Sequence, residues 1–341
     1  MGVLVAIGVD THRDEHVAVA LDECGRELGS LTIATRASGY ALLWEWASGL
    51  GEPLFAVEGT GSYGAGLTAF LVAAGGVVFE CERPRRRDRR QGKSDLIDAK
   101  AAARRLLSGE RLARPRGGGV RDDLRLLLLE RQGAVRGRTA AYNELHAVTV
   151  TSPEQLRSRL RDLTSERLAN QAARLRPKNG DSDVAIAVLR RIGRRALQLS
   201  SEIAAVDERL EQITAELVPD LLAECGVGPV CAAQLVVSSG DPSRMVSEAS
   251  FAALAGTSPV QASSGQTQRH RLNRGGDRKL NRALHVIALS RIRWHPRTAT
   301  YYQRLRQEGK TPREALRCIK RQLARYFHQI LKTNTRLTLT P

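Results

Sequence analysis

Four carboxylates, Asp10, Glu58, Asp95 and Asp98, are the residues of this sequence best suited by type and spacing to do chemistry. Asp10 and Glu58 each close a short apolar run, residues 3–9 and 54–57. In an α/β sheet, strand ends of like direction open on one rim, where ligands bind. Asp95 and Asp98 are three apart at the start of a helical stretch, so they share one face. Ser94 is placed to cap that helix, whose positive dipole end tolerates the clustered charge. Four carboxylates gathered together repel one another unless cations lie among them. Hard oxygen ligands in pairs suit two Mg²⁺ ions, with Mn²⁺ as the alternative, and such a pair suits phosphodiester chemistry. Taken singly, Asp95 reads as first-turn charge and Asp10 as a strand-end turn residue, so the inference rests on the ordered set.

The surrounding elements must bring these residues together. Residues 3–9 read as a buried strand, His16 to Leu21 as a second and Glu27 to Ala34 as a third, with turn chemistry at Asp22-Glu-Cys-Gly25. A helix over about 38–50, a strand at Leu54 to Val57, a helix over about 63–74, a strand at Val77 to Cys81 and a helix from about Ser94 follow. Three antiparallel strands and then alternating helix and strand is the order of the ribonuclease H-like fold. Residues 1–115 are therefore expected to form one α/β domain.

Between the last strand and the Asp95 helix lies Arg83-Pro-Arg-Arg-Arg-Asp-Arg-Arg90, then Gln91-Gly-Lys93. Arg85, Arg86, Arg87, Arg89, Arg90 and Lys93 are placed to grip phosphates beside the acidic site. The charge of the whole chain points the same way. Its net charge is +17, and residues 264–341 hold 19 basic and 3 acidic residues. A surface of that kind suits a polyanion, and without a hydrophobic anchor the expected polyanion is nucleic acid rather than membrane. The N-terminal run reaches a carboxylate at Asp10 without a basic leader or cleavage site, which predicts a cytoplasmic, nucleoid-associated protein. Five scattered cysteines form no Cys-x-x-Cys pair, so neither a disulfide framework nor a zinc knuckle is indicated.

Pro115-Arg-Gly-Gly-Gly119 punctuates the chain, and residues 116–218 read as helical, with breaks near Ser152-Pro153 and Pro177 to Gly180. Leu189, Ile192, Ala196, Leu199, Ile203, Val206, Leu210, Ile213 and Leu217 alternate steps of three and four, the spacing of a coiled-coil seam. The partner is either the helix at 120–149 of the same chain or another protomer. Residues 219–341 read as a mainly helical basic domain. Within it, Cys225-Gly226-Val-Gly228-Pro229 resembles the hairpin of a helix-hairpin-helix element, whose backbone amides approach a phosphate, or else forms a plain interhelical turn. Gln261-Ala-Ser263-Ser264-Gly265 precedes a basic segment containing Arg269, Arg271, Arg274, Arg278 and Lys279, and reads as a phosphate-binding loop or the seat of a nucleophile.

Val-Asp10-Thr-His with Val-Glu58-Gly-Thr-Gly-Ser-Tyr, Lys93-Ser-Asp95-Leu-Ile-Asp98-Ala, Gly226-Val-Gly-Pro and Ser263-Ser-Gly-Gln together resemble the DEDD transposases of the insertion-sequence "one-hundred-and-ten" family, also described as bridge-RNA-guided recombinases. The resemblance runs in order from about residue 3 to 325. It implies a RuvC-like domain, a coiled-coil insertion and a separate transposase domain. It also implies that Asp10, Glu58, Asp95 and Asp98 bind Mg²⁺, and that Ser264 attacks DNA and becomes linked to phosphate. Here Ser264-Gly-Gln stands where the family has Ser-Gly-Gly. The expected partners are donor and target DNA, a structured noncoding guide RNA and further copies of the chain, as a dimer or as a tetramer in the synaptic complex. The competing readings are a RuvC-like structure-specific nuclease, an actin-like sugar kinase sharing Glu-Gly-Thr-Gly, and a non-catalytic nucleic-acid-binding relative. The Asp95/Asp98 helix and the basic C-terminal region speak against the kinase, and four intact carboxylates against the inactive relative.

Overall fold

The computed structural model describes residues 3–81, 94–109, 112–115, 119–178, 181–240, 247–261, 270–271, 273, 275–334 and 337. The chain divides into two compact units, one built on residues 1–119 and the other on 120–239 with 247–339.

The first unit is a five-stranded mixed sheet. Its strands are β1 (Leu4–Thr11), β2 (Glu15–Leu21), β3 (Glu27–Ala34), β4 (Glu52–Glu58) and β5 (Val77–Cys81), in the order β3-β2-β1-β4-β5. β1, β2 and β3 pair antiparallel, whereas β4 runs parallel to both β1 and β5. Helices α1 (Ala37–Leu50), α2 (Ala65–Ala73) and α3 (Asp95–Leu107) complete it. This is a RuvC-like sheet, as the element order leads one to expect.

Alternation along β1 explains the layering. Val5, Ile7 and Val9 point to one face, where they pack with Leu43, Phe55, Leu67 and Leu71. Ala6, Gly8 and Asp10 point to the other, where Ala6 packs with Ala99 and Ala103 of α3. Gly8 sets the depth of that contact: a Cβ there would stand 2.0 Å from the Ala99 carbonyl oxygen and 2.3 Å from the Ala103 amide nitrogen. Glycine on the strand and alanines on the helix let α3 lie against the β1 backbone, so the start of α3 comes to the end of the strand that carries Asp10. Ser94 occupies the N-cap position, but its side chain makes no capping hydrogen bond; its carbonyl accepts from the Ile97 and Asp98 amides.

The second unit is almost wholly helical: α4 (Val120–Thr151), α5 (Glu154–Arg157), α6 (Ser165–Ala173), α7 (Asp183–Leu217), α8 (Pro219–Leu222), α9 (Pro229–Ser239), α10 (Glu248–Leu254), α11 (Arg278–Trp294), α12 (Pro296–Gln307) and α13 (Pro312–Thr333). A two-stranded ribbon, β6 (Val260–Gln261) with β7 (His270–Arg271), lies between α10 and α11. The heptad seam of α7 finds its partner in α4 of the same chain. Leu189 and Ala196 share a core with Ala141 and Leu145, and Leu199 lies where a Cβ on Gly137 would meet it at 3.3 Å. Arg131 of α4 clasps Asp207 of α7 through Nε at 2.5 Å and Nη2 at 3.1 Å. α9 packs on both long helices and on α11, which joins the coiled coil and the C-terminal helices into one body. Among the described residues no helix is long and apolar enough to cross a membrane.

An in-chain seam makes a definite prediction. Leu199→Asp combined with Leu210→Asp is expected to destabilise the second unit by about 3–5 kcal/mol, because an unpaired charge at the fully buried Leu210 position has no compensating partner. Denaturant unfolding should show the loss and light scattering an unchanged mass. A smaller particle with undiminished stability would instead place the seam between protomers.

Candidate metal centre

Asp10 is buried to 4% exposure at the end of β1, and Glu58, equally buried, ends the parallel β4 beside it. Val9 pairs with Val57, so the two carboxylate positions are next in register on the same rim. The Thr11 hydroxyl donates to the Glu58 carbonyl at 2.8 Å and ties the two strand ends together. Asp95 opens α3 and Asp98 follows in its first turn.

The side chains converge on a residue that the carboxylate pattern does not include. His12 follows Asp10 by two positions in the β1–β2 turn, and its Nε2 lies 3.1 Å from Asp10 Oδ2 and 3.3 Å from Asp95 Oδ1. Among the described residues, Asp10, His12 and Asp95 form a set whose ligand atoms all lie within 4.8 Å of one another. Glu58 and Asp98 do not join that set. Asp98 still acts on it electrostatically: the Asp10 carboxyl is held above its ordinary pKa, first by burial and then by the negative charges of Asp95 and Asp98, with His12 opposing. Beside this cluster an open cleft of about 460 Å³ is lined by His12, Arg13, Asp14, Glu15, Val17, Tyr63 and Asp95. Tyr63, about half exposed, comes from the turn segment after Glu58.

The donor set fits a divalent cation. A desolvated carboxylate with two further carboxylates in its field is costly alone and is relieved by a shared positive charge. Carboxylate oxygens suit Mg²⁺, and an imidazole nitrogen shifts preference toward Mn²⁺ and later metals.

Two family models match this chain. One, described as a transposase of the DEDD IS110 type, covers residues 7–153, and the other, described as "Transposase IS116/IS110/IS902 family", covers residues 221–303. The chain belongs to the IS110/IS116/IS900 family of DEDD-type insertion-sequence transposases. A 43.6 kDa protein of insertion element IS110 from Streptomyces coelicolor is 30% identical over 61% of this chain; the chain spans about half the length of that relative, 51%. A 42 kDa protein of insertion element IS900 from Mycobacterium paratuberculosis is 26% identical over 92% of each chain. A 44.8 kDa protein of insertion element IS116 from Streptomyces clavuligerus is 24% identical over 98% of this chain and 96% of its own.

The other residues singled out in this transposase family member are placed as follows. Gly226 has a packing reason for being glycine: its φ is +82°, and a Cβ would stand 2.9 Å from Ser290 Cβ and 3.2 Å from the Ile287 carbonyl oxygen, so α11 presses directly on the turn. Around a Cβ at Gly228 there is open space. The turn is anchored at Glu224, which accepts from Arg291 at 3.0 Å and from the Tyr326 hydroxyl at 2.6 Å. Arg278 and Lys279 are exposed in the first turn of α11, where Asp277 caps the helix by accepting from the Lys279 and Leu280 amides. Cations at the positive end of a helix dipole lower the stability of the helix. Arg271 lies in β7, of which the backbone is described. Arg85, Arg86, Arg87, Arg89, Arg90, Lys93, Ser263, Ser264, Arg269 and Arg274 lie outside the described residues.

Proposed function

We propose that this chain exchanges DNA strands at a divalent-metal site held by Asp10, Glu58, Asp95 and Asp98 with His12, using Ser264 as nucleophile and a structured noncoding RNA as guide. The observation that carries this reading is the Asp10–His12–Asp95 cluster at the rim of a RuvC-like sheet. Asp10, His12 and Asp95 would hold a divalent ion there, which would supply Lewis-acid polarisation of a phosphodiester oxygen and acidification of a nearby hydroxyl. The chain's own residues supply the geometry. β1 and α3 hold Asp10 and Asp95 on either side of His12, Glu58 shares the rim, and Asp98 adds negative field. Tyr63 and Arg13 line the open side by which a backbone phosphate approaches. In the covalent step the Ser264 Oγ–phosphorus bond forms as a phosphorus–oxygen bond of the DNA breaks, and the serine proton ends on the departing strand's hydroxyl. The linkage keeps the bond energy for rejoining. Functionally the chain then reads as a catalytic part, 1–115, a coiled-coil part, 116–218, and a transposase part, 219–341. Gly226, Gly228 and the basic residues named above contact nucleic acid in a homo-oligomer, a dimer or a tetramer at synapsis. Pairing by the guide would select the target, so the side chains need not encode its sequence.

The test is metal dependence with the site varied. Strand transfer by the purified chain should vanish in EDTA and return with Mg²⁺ or Mn²⁺. His12→Ala should weaken Mn²⁺ binding about 10–100-fold, whether the imidazole is a ligand or orients the carboxylates. Strand transfer that persists in EDTA would overturn the reading, and unchanged Mn²⁺ affinity would remove His12 from it.

A further inference from the structure

We infer that the solvent faces of α11 and α12 form a track for single-stranded DNA, with Trp294 as its stacking platform. The inference rests on the nucleic-acid function proposed above but concerns a surface with no role in the metal cluster. From Arg278 to Gln307 the chain carries eight basic residues and no acidic one. On α11, Leu280, Leu284, Ile287 and Arg291 face the core, whereas Arg282, Val286, Leu289 and Arg293 follow one another at steps of four, three and four on the exposed side. Val286 and Leu289 are each about half exposed, so this outward face alternates cation and hydrocarbon.

Trp294 closes that helix at 68% exposure, with the Arg293 guanidinium 5.0 Å from its ring centroid. One residue later α12 begins, and Arg297, Tyr301 and Arg304 share a face at steps of four and three. Arg304 stands 5.1 Å over the Tyr301 ring. Each aromatic is thus held by a guanidinium, which preorganises it and brings a cation to the track; that of Arg304 also pairs with Glu308 at 3.5 Å, an exposed contact for which a phosphate can compete.

Charge complementarity selects a polyanion, and the exposed hydrocarbon selects its form. A duplex offers phosphates and groove edges, and its base faces are already stacked. Unpaired bases offer their faces, and an exposed Trp among arginines is the platform they use. The chemistry of strand exchange produces such a strand in DNA. The outward face of α11, Arg282, Val286, Leu289 and Arg293, offers no side-chain hydrogen-bond acceptor, so a 2′-hydroxyl would find little to recognise it there, and deoxyribose fits the hydrocarbon better.

The test uses the full chain and fluorescence anisotropy with a labelled 12-nucleotide oligo(dT), an oligo(U) of the same length and a mixed-sequence duplex. Trp294→Ala should weaken oligo(dT) binding about tenfold, the size expected for one lost stack, with duplex affinity and Tm unchanged. Trp294→Phe should recover most of the loss. Arg297→Gln with Arg304→Gln should instead lower the salt dependence of binding. Oligo(dT) affinity unchanged in Trp294→Ala, or an equal loss on duplex, would overturn the inference while leaving the proposed function standing. Tenfold tighter binding of oligo(U) than of oligo(dT), or a halved particle mass for Trp294→Ala, would overturn it by giving the track to RNA or to a second copy. A wild type that binds none of the three probes would defeat the nucleic-acid reading itself.

Discussion

Asp10→Asn is expected to lower strand transfer by at least about a hundredfold while leaving the chain as stable as before, or more so, when no divalent ion is present. A metal site stabilises the charge of a phosphoryl transition state by several kcal/mol, and loss of a buried ligand forfeits much of that. The stability half follows from Asp10 itself. Its carboxyl is held above the usual carboxylate pKa by burial and by Asp95 and Asp98. The folded state therefore binds the Asp10 proton more tightly than the unfolded state does. The stability this gives is complete below the ordinary value of 3.8 and is lost as pH rises through the raised one. At neutral pH without metal the ionised carboxylate works against folding, and an amide of the same shape relieves it. Thermal melts in EDTA should show Asp10→Asn at or above wild type at pH 7, with the difference closing under acid conditions. Glu58→Gln, Asp95→Asn and Asp98→Asn should lose strand transfer in the same way. Near-wild-type recombination in Mg²⁺ by any of the four would remove that carboxylate from the catalytic set.

Ser264→Ala should abolish both cleavage and exchange while DNA binding and folding persist. A RuvC-like site can hydrolyse DNA with water, and a serine elsewhere in the chain would then be dispensable. If Ser264 is instead the nucleophile, each cleavage leaves a phosphoserine ester. Wild type should then yield a denaturant-resistant protein–DNA adduct, visible as a shifted band on a denaturing gel. Ser263→Ala should still form it, because the serine directly before the glycine carries the reaction. Normal cleavage by Ser264→Ala would sink the covalent mechanism in favour of a water-using nuclease, and an adduct lost in Ser263→Ala alone would move the nucleophile by one residue.

Much of the first unit was legible because its signals are local. The alternation and turns of residues 3–34 predict three strands, and β3 and β5 form with the bounds expected, Glu27–Ala34 and Val77–Cys81. The rim position of Asp10 and Glu58 follows from strand order, which the parallel pairing of β1 and β4 confirms. His12 was less visible. It sits in the sequence two residues from Asp10, between the first two expected strands. Its value depends on Asp95, 83 positions away, arriving within 3.3 Å. A signal was present in the Asp-x-His spacing at a strand end, but spacing alone cannot show that a helix start will close over it.

What the sequence by itself determined, then, is the elements of the first unit, the carboxylates they carry, the strongly basic charge and the existence of a helix-pairing seam. Each is set by periodicity, turn chemistry or composition within a few dozen residues. Tertiary structure alone decided three matters. It chose α4 as the partner of the α7 seam, because a heptad pattern states that a partner is needed and not which helix supplies it. It brought Ser290 and Ile287 of α11 against Gly226, because a glycine's neighbours in space are absent from its neighbours in sequence. And it made His12 part of the cluster, because Gly8 lets α3 rest on the β1 backbone and so sets how near Asp95 comes to Asp10. All three are long-range contacts, and the physical reason is common to them: local propensity specifies the faces that must be buried, while close packing specifies which faces meet.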